Sequence, residues 1–247
     1  MRILSTYSIK GGVGKTSAAV NLAYLAARDG EPTLLWDLDP QGSASFLLRV
    51  RPKVKGGAKA LIRKRRPLDE AIRATNFANL DLVPADLSYR HLDLALDKTK
   101  RPSQRLASLL RPLADDYAYV VLDCAPSMSL VSESIFGASD ALLVPMIPTT
   151  LSTRTLAQLT EFLDGRRGAH PRVLTFFSLA DRRKRLHREV METMKPKNAT
   201  LLDAAVPSTI EVEQMGRHRA PVGAFAPRSR AARAYEALWT DVRDALS

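Results

Sequence analysis

Seven residues near the start of the chain, Lys10-Gly11-Gly12-Val13-Gly14-Lys15-Thr16, constrain its fold more than any other stretch. An apolar run, Ile3–Ile9, precedes them and an alanine-rich run, Lys15–Arg28, follows, so the order predicted is strand, glycine loop, helix. The glycines let backbone N–H groups turn inward with no Cβ in the way, and the start of the helix adds a partial positive charge. Such a loop cradles phosphates. Gly11, Gly12, Val13, Gly14 and Ser17 belong to the expected nucleotide-binding turn, with Lys15 placed for the β- and γ-phosphates and the Thr16 hydroxyl for Mg²⁺.

The rest of the 247 residues repeats the alternation. Strands are predicted at Pro32–Leu38, Leu80–Pro84, Ala118–Asp123, Asp140–Ile147 and Arg172–Leu179. Helices are predicted at Pro67–Ala74, Ser88–Leu113, Leu130–Ala138, Thr153–Arg166 and Arg183–Met194. Short, uniformly apolar strands separated by helices imply an α/β fold whose mostly parallel sheet carries helices on both faces. The expectation is one P-loop NTPase domain over residues 1–247. Val50–Arg66, with Gly56-Gly57 and dense charge, reads as a mobile surface segment. Ser229–Leu246 is an amphipathic helix. Its polar positions mix Arg233, Glu236, Asp241, Arg243 and Asp244, a pattern that suits packing on the core better than a lipid surface.

Two acidic segments complete the chemistry. Trp36-Asp37-Leu38-Asp39-Pro40-Gln41-Gly42-Ser43 follows the second strand, where a carboxylate can order a water near a γ-phosphate. Asp37 alone reads equally as a strand-end cap or as support for a metal shell. Val120-Val121-Leu122-Asp123 ends an apolar strand on an Asp, the Walker B arrangement for holding Mg²⁺ directly or through water. The single cysteine, Cys124, excludes an internal disulfide and a cysteine-based cluster within one chain. The four histidines, His91, His170, His187 and His218, show no metal spacing and read as surface or structural. No apolar run approaches a membrane span, and the first residues lack the apolar core of a secretory signal, so the expected compartment is the cytoplasm.

The glycine loop departs from the usual Walker A pattern: Ile9 stands where the first glycine belongs, and Lys10 precedes two glycines. In this it resembles the deviant Walker A ATPases of the ParA/MinD family. The Asp37–Ser43 segment, the Asp123-Cys124-Ala125-Pro126 switch and the Val144–Thr155 stretch are similar to that family's motifs. The resemblance implies an ATP-bound sandwich dimer in which Lys10 reaches the partner's nucleotide. It gives Asp39 the water-orienting role, makes Lys10, Lys15 and Asp39 the catalytic set, and makes Thr16, Asp37, Asp39 and Asp123 the Mg²⁺ side. It also puts Asp181 and Pro207 near the adenine. The family's larger partition proteins carry an N-terminal helix-turn-helix, and this chain starts at its first strand.

Charge adds the expected partner. The chain carries 37 Lys and Arg against 26 Asp and Glu, net +11. The excess is concentrated in two blocks, Arg49–Arg66 and Arg166–Arg233, which suits a polyanion such as DNA. The candidate DNA contacts are Arg182, Arg183, Lys184, Arg185 and Arg188, and Arg217, Arg219, Arg228, Arg230 and Arg233. After Pro207, Ser208 and Glu211 stand where many chromosome-type relatives carry arginines for DNA. The leading reading is a ParA-like ATPase that positions a plasmid, chromosome or protein complex. It dimerises on ATP, binds DNA of the nucleoid without sequence preference, and is released when a cargo-bound ParB-like or other adaptor triggers hydrolysis. The alternatives are a membrane-cycling MinD-like ATPase and a metabolic P-loop enzyme.

Overall fold

Strand Tyr119–Asp123 (β5) shows why its sequence is apolar at successive positions: Val120 and Leu122 enter one core and Val121 the other, all but sealed from solvent. In the computed structural model, which describes residues 1–165, 170–194 and 199–247, β5 lies inside an eight-stranded sheet. The other strands are β1 (Arg2–Thr6), β2 (Thr33–Asp37), β3 (Arg73–Ala74), β4 (Leu80–Val83), β6 (Ala141–Met146), β7 (Arg172–Ala180) and β8 (Leu201–Pro207). Their order is β3-β4-β2-β5-β1-β6-β7-β8, and only the edge strand β3 runs antiparallel. The central register places Thr6, Asp37 and Asp123 side by side at the carboxyl ends of β1, β2 and β5.

Helices cover both faces, as alternation without polar gaps requires. One face packs α1 (Lys15–Arg28), α2 (Ser43–Leu47), α9 (Ile210–His218), α10 (Val222–Phe225) and α11 (Arg230–Leu246). The other packs α3 (Gly57–Ile62), α4 (Leu92–Asp97), α5 (Arg105–Leu110), α6 (Leu130–Phe136), α7 (Thr150–Asp164) and α8 (Arg185–Met194). Helix α1 is buried almost all round, and its alanines let it sit tight between the sheet and α11.

The structure departs from the sequence expectations at several places. Pro67–Ala74 is not a helix: a three-residue turn, Asp69–Ala71, leads into the edge strand β3. Ser88–Leu113 is not one helix but short helices and turns, interrupted at Pro102 and Pro112, whose rings and missing N–H break helical bonding. The segment expected to be mobile, Val50–Arg66, holds α3 and is anchored by buried Val54, Ala58, Leu61 and Ile62. Strand β8 and helices α2, α9 and α10 were not anticipated. The first strand stops at Thr6, short of Ile9. Arg166, the expected end of one helix and the start of the second basic block, lies outside the described residues.

Candidate nucleotide-binding site

The glycine loop leaves the carboxyl end of β1 and feeds α1, as its flanks require. Gly12 (φ +70°) and Gly14 (φ +92°) take left-handed conformations, and Gly14 caps α1. A Cβ on Gly14 would meet the Ser178 Oγ of β7 at 2.6 Å, so this close approach admits only glycine. Val13 is buried and pins the loop to the core. No acidic residue occupies the first turn of α1, which leaves that helix start free for an anion.

Lys15 opens α1, is 7% exposed, and donates from Nζ to the Lys10 carbonyl at 3.3 Å. Burial lowers its pKa, and the negative groups around it, Asp123 foremost and Asp39 among them, work the other way. The loop therefore holds a desolvated ammonium in a nest of acidic partners.

Two of those partners define the opposite wall. Asp37 and Asp123 are paired across the β2–β5 ladder, and both are fully buried. Asp37 Oδ2 accepts from the Ser45 N–H at 2.8 Å and the Ser45 hydroxyl at 2.7 Å, while its Oδ1 has no hydrogen-bond partner. Asp123 Oδ1 accepts from the Thr6 hydroxyl at 3.4 Å, and its Oδ2 is likewise unpartnered. Burial, and then the charge of Asp37, raise the Asp123 pKa to about 8, with Thr16 and Lys15 opposing. Burial is also the main cause of the rise of Asp37 to about 6. An unmatched buried polar atom costs about 1–3 kcal/mol, more when charged. A hard cation beside these two oxygens would relieve that cost. Among the described residues no group of three or more His, Cys, Asp or Glu could hold a metal, so the Thr16 hydroxyl, substrate oxygens and water would supply the remaining ligands.

Asp39 is half-buried in the turn after β2, where its Oδ1 accepts from the Gln41 N–H at 2.9 Å and its carbonyl from Gly42 at 2.9 Å. Its charge is felt by Lys15, Asp37 and Asp123 alike, so the four form one electrostatic cluster. Three side chains that shape this cluster were not identified in the sequence. Ser45 holds Asp37 and also accepts from the Ala85 N–H at 2.9 Å, Thr6 holds Asp123, and Ser178 abuts Gly14. No motif marks them: Thr6 and Ser178 act from other strands, and Ser45 from the helix that follows the Asp37 turn. Cys124, next to Asp123, is fully buried, with its thiol pushed well up by burial and that neighbour, and carries no partner chemistry.

Asp181 and Pro207 stand together at the carboxyl ends of β7 and β8, with Ala180 opposite Pro207. The Asp181 carboxylate accepts from Nε, Nη2 and the backbone N–H of Arg183, each at 3.0 Å, and those bonds lower its pKa to about 2. The buried His187 accepts the Asp181 N–H on Nδ1 at 3.1 Å, which makes it structural.

The expected DNA-contacting residues fall into two groups. Several are already engaged: Arg183 with Asp181, Arg185 with Glu189 at 2.6 Å, and Arg188 with the Arg182 carbonyl at 2.9 Å. Arg219 lies over the Phe46 ring at 4.7 Å and donates to the Phe46 carbonyl. Arg49 donates to the His218 carbonyl at 2.8 Å, so the two basic blocks meet beside Thr16 and Ser17 at an open groove of about 770 Å³. Arg182, Lys184, Arg217, Arg228, Arg230 and Arg233 are exposed and form no ion pair among the described residues. Among the described residues no helix is long and apolar enough to cross a membrane, and the apolar face of α11 is buried on the sheet.

A family model described as AAA domain matches residues 1–170. The chromosome partitioning protein ParA of Myxococcus xanthus is 30% identical over 96% of this chain and 86% of its own length. That of Caulobacter vibrioides is 30% identical over 98% of this chain and 94% of its own. A crystal structure of a putative plasmid partition protein from Borrelia burgdorferi, bound to AMPPNP, superimposes with a TM-score of 0.86 at 21% identity, covering 99% of both chains.

Proposed function

The chain belongs to the ParA family of AAA-domain proteins, and from that premise we propose that it is an ATPase that partitions or positions a cargo. ATP with Mg²⁺ is bound at the β1–α1 loop of a single domain spanning residues 1–247. The backbone from Lys10 to Ser17 cradles the phosphates, Lys15 neutralises the terminal phosphates, and Thr16, Asp37 and Asp123 form the cation side, with Asp39 adding its charge beside them. Mg²⁺, when bound, neutralises phosphate oxygens. Asp39 orients the water that converts ATP to ADP and phosphate, and Lys10 reaches the nucleotide of a second copy across an ATP-dependent dimer. Asp181 and Pro207 flank the base. Hydrolysis of this kind needs little beyond positioning and charge neutralisation, which suits a slow switch.

The observation that carries this reading is the pair of buried, in-register carboxylates, each with an unpartnered oxygen, beside a desolvated lysine at a phosphate loop. The dimer binds DNA without sequence preference through its exposed arginines and lysines, and a cargo-bound ParB-like or other adaptor triggers release. The protein is thereby held on nucleoid DNA in the cytoplasm. The apolar face of α11 is buried on the sheet, so that helix does not favour the membrane-cycling alternative. The test is Lys15→Ala. The variant is expected to lose ATP-dependent dimerisation in light scattering and ATP-dependent DNA retention together. Dimerisation at wild-type affinity would refute the phosphate-loop assignment.

A further inference from the structure

A wide groove lies at the end of the sheet opposite the nucleotide loop. Its volume is about 1160 Å³, and Met1 and Ile3, at the amino end of β1, form part of its floor. The glycine loop leaves β1 from the other end, about 16 Å away at a rise of roughly 3.3 Å per residue. Three segments bring cations to the groove. Arg63 and Lys64 come from the end of α3, where Lys64 turns the chain in a left-handed conformation (φ +53°). Lys98, Lys100 and Arg101 come from the break between α4 and α5, and Arg105 and Arg111 from the two ends of α5. No acidic residue lines the groove, and none interrupts the sequence from Lys98 to Arg111.

These cations, unlike Arg183 and Arg185, are uncompensated, and they gather around one concavity. None forms an ion pair among the described residues, and Arg105 alone is engaged, donating to the Ile62 carbonyl. Arg183 and Arg185, by contrast, have carboxylate partners to give up before they can meet a phosphate. Seven unpaired or nearly unpaired cations around one concavity create a local positive potential, and where they neutralise DNA phosphates the cations condensed on the duplex are released, which drives polyanion binding. The lining contains no aromatic side chain on which bases could stack, which favours the backbone of a duplex over a single strand.

We propose that this groove is a DNA-backbone site, placed on the face away from the nucleotide and complete within one copy of the chain. It rests on the reading that the protein binds DNA. Because the nucleotide lies at the other end of the sheet, the groove stays open in monomer and dimer alike, and a dimer presents two.

The test compares full-length wild type, Lys98→Glu/Arg101→Glu, and Arg228→Glu/Arg230→Glu for binding to a random-sequence duplex, with and without AMPPNP, across a salt series. All four positions are exposed, and AMPPNP binding by each variant checks that the fold and the phosphate loop are kept. The groove variant is expected to lose tenfold or more in DNA affinity in both nucleotide states. Its log–log salt slope is expected to shrink by about 0.9 for each phosphate contact removed. Unchanged affinity and slope in that variant, with loss only in the Arg228/Arg230 variant, would overturn the proposal. So would retained DNA binding accompanied by loss of binding to poly-L-glutamate, which would make the groove a site for an acidic protein segment. A wild type that binds AMPPNP but no DNA in any state would instead remove the DNA reading itself.

Discussion

At the scale of single residues, the unusual feature is Asp123, a carboxyl buried beside a second carboxyl and short of hydrogen bonds. Its pKa stands near 8 when folded, against about 3.9 in an unfolded chain. Between those values the folded chain keeps a proton that the unfolded chain has released. The stability this lends is fully present below about pH 4 and is lost as pH rises through about 8. Without nucleotide or divalent cation, the Tm of wild type is therefore expected to fall relative to that of Asp123→Asn as pH rises from about 5 to 8.5. Parallel curves for the two proteins would refute this. The trade fits a site whose charge balance is completed by a ligand: the cluster that destabilises the empty protein is the one that welcomes a cation.

At the scale of elements, α11 shows how an amphipathic pattern resolves. Tyr235, Leu238, Trp239 and Val242 are buried against the β-sheet and α1. Trp239 stacks edge-on to Tyr119 at a centroid distance of 5.1 Å and donates to Asp29 Oδ2 at 2.9 Å. The helix thus joins the two ends of the chain through one side chain. Trp239→Ala removes a large buried ring and costs about 3–5 kcal/mol. In a chain of this size that is a fall in Tm on the order of 10 °C, measurable by thermal unfolding. A loss below about 1 kcal/mol would mean that the helix does not pack as seen. The same scale explains the fragmented stretch between Ser88 and Leu113. Its apolar residues Leu92, Leu96, Leu106, Leu109 and Leu110 do face the core, but the break at Pro102 divides the helix that would carry them. The bend it forces puts Lys98, Lys100 and Arg101 together at the rim of the basic groove.

At the scale of the whole molecule, the proposed dimer separates binding from hydrolysis. Asp39→Ala leaves the phosphate cradle intact and removes the water-orienting carboxylate, so it is expected to accumulate an ATP-bound dimer that stays on DNA. Lys10→Ala removes the contact across the interface and is expected to form no such dimer. Light scattering with ATP tells the two apart, and identical behaviour would defeat the division of roles. The carbonyl of Lys10 is held by Lys15, while its own side chain has no partner among the described residues, as a group reserved for a second copy requires.

The sequence alone determined what is local. Strand, glycine loop and helix at residues 3–28, the strand-ending Asp37 and Asp123, and the apolar stripe of Ser229–Leu246 are legible because each signal is complete within a few residues: a φ that only glycine adopts freely, a carboxylate at a strand end, a 3.6-residue period. The tertiary structure decided what depends on neighbours far along the chain. Strand β8, on the edge of the sheet, is apolar at all but Asp203 yet only partly buried, and its short run of small residues between Leu202 and Pro207 gave no clear strand period. The segment of α3 looked mobile because its cations outnumber the four residues that anchor it. Ser45, Thr6 and Ser178 carry no motif: the sheet register sets Thr6 against Asp123, the start of α2 brings Ser45 to Asp37, and the packing of the glycine loop on β7 sets Ser178 against Gly14. The basic groove is built from residues 63–64 and 98–111, which no window of sequence joins. Charge is additive along a chain, but whether it is neutralised depends on what folding sets beside it, and that is why the exposed cations of the groove stand free while Arg183 and Arg185 do not.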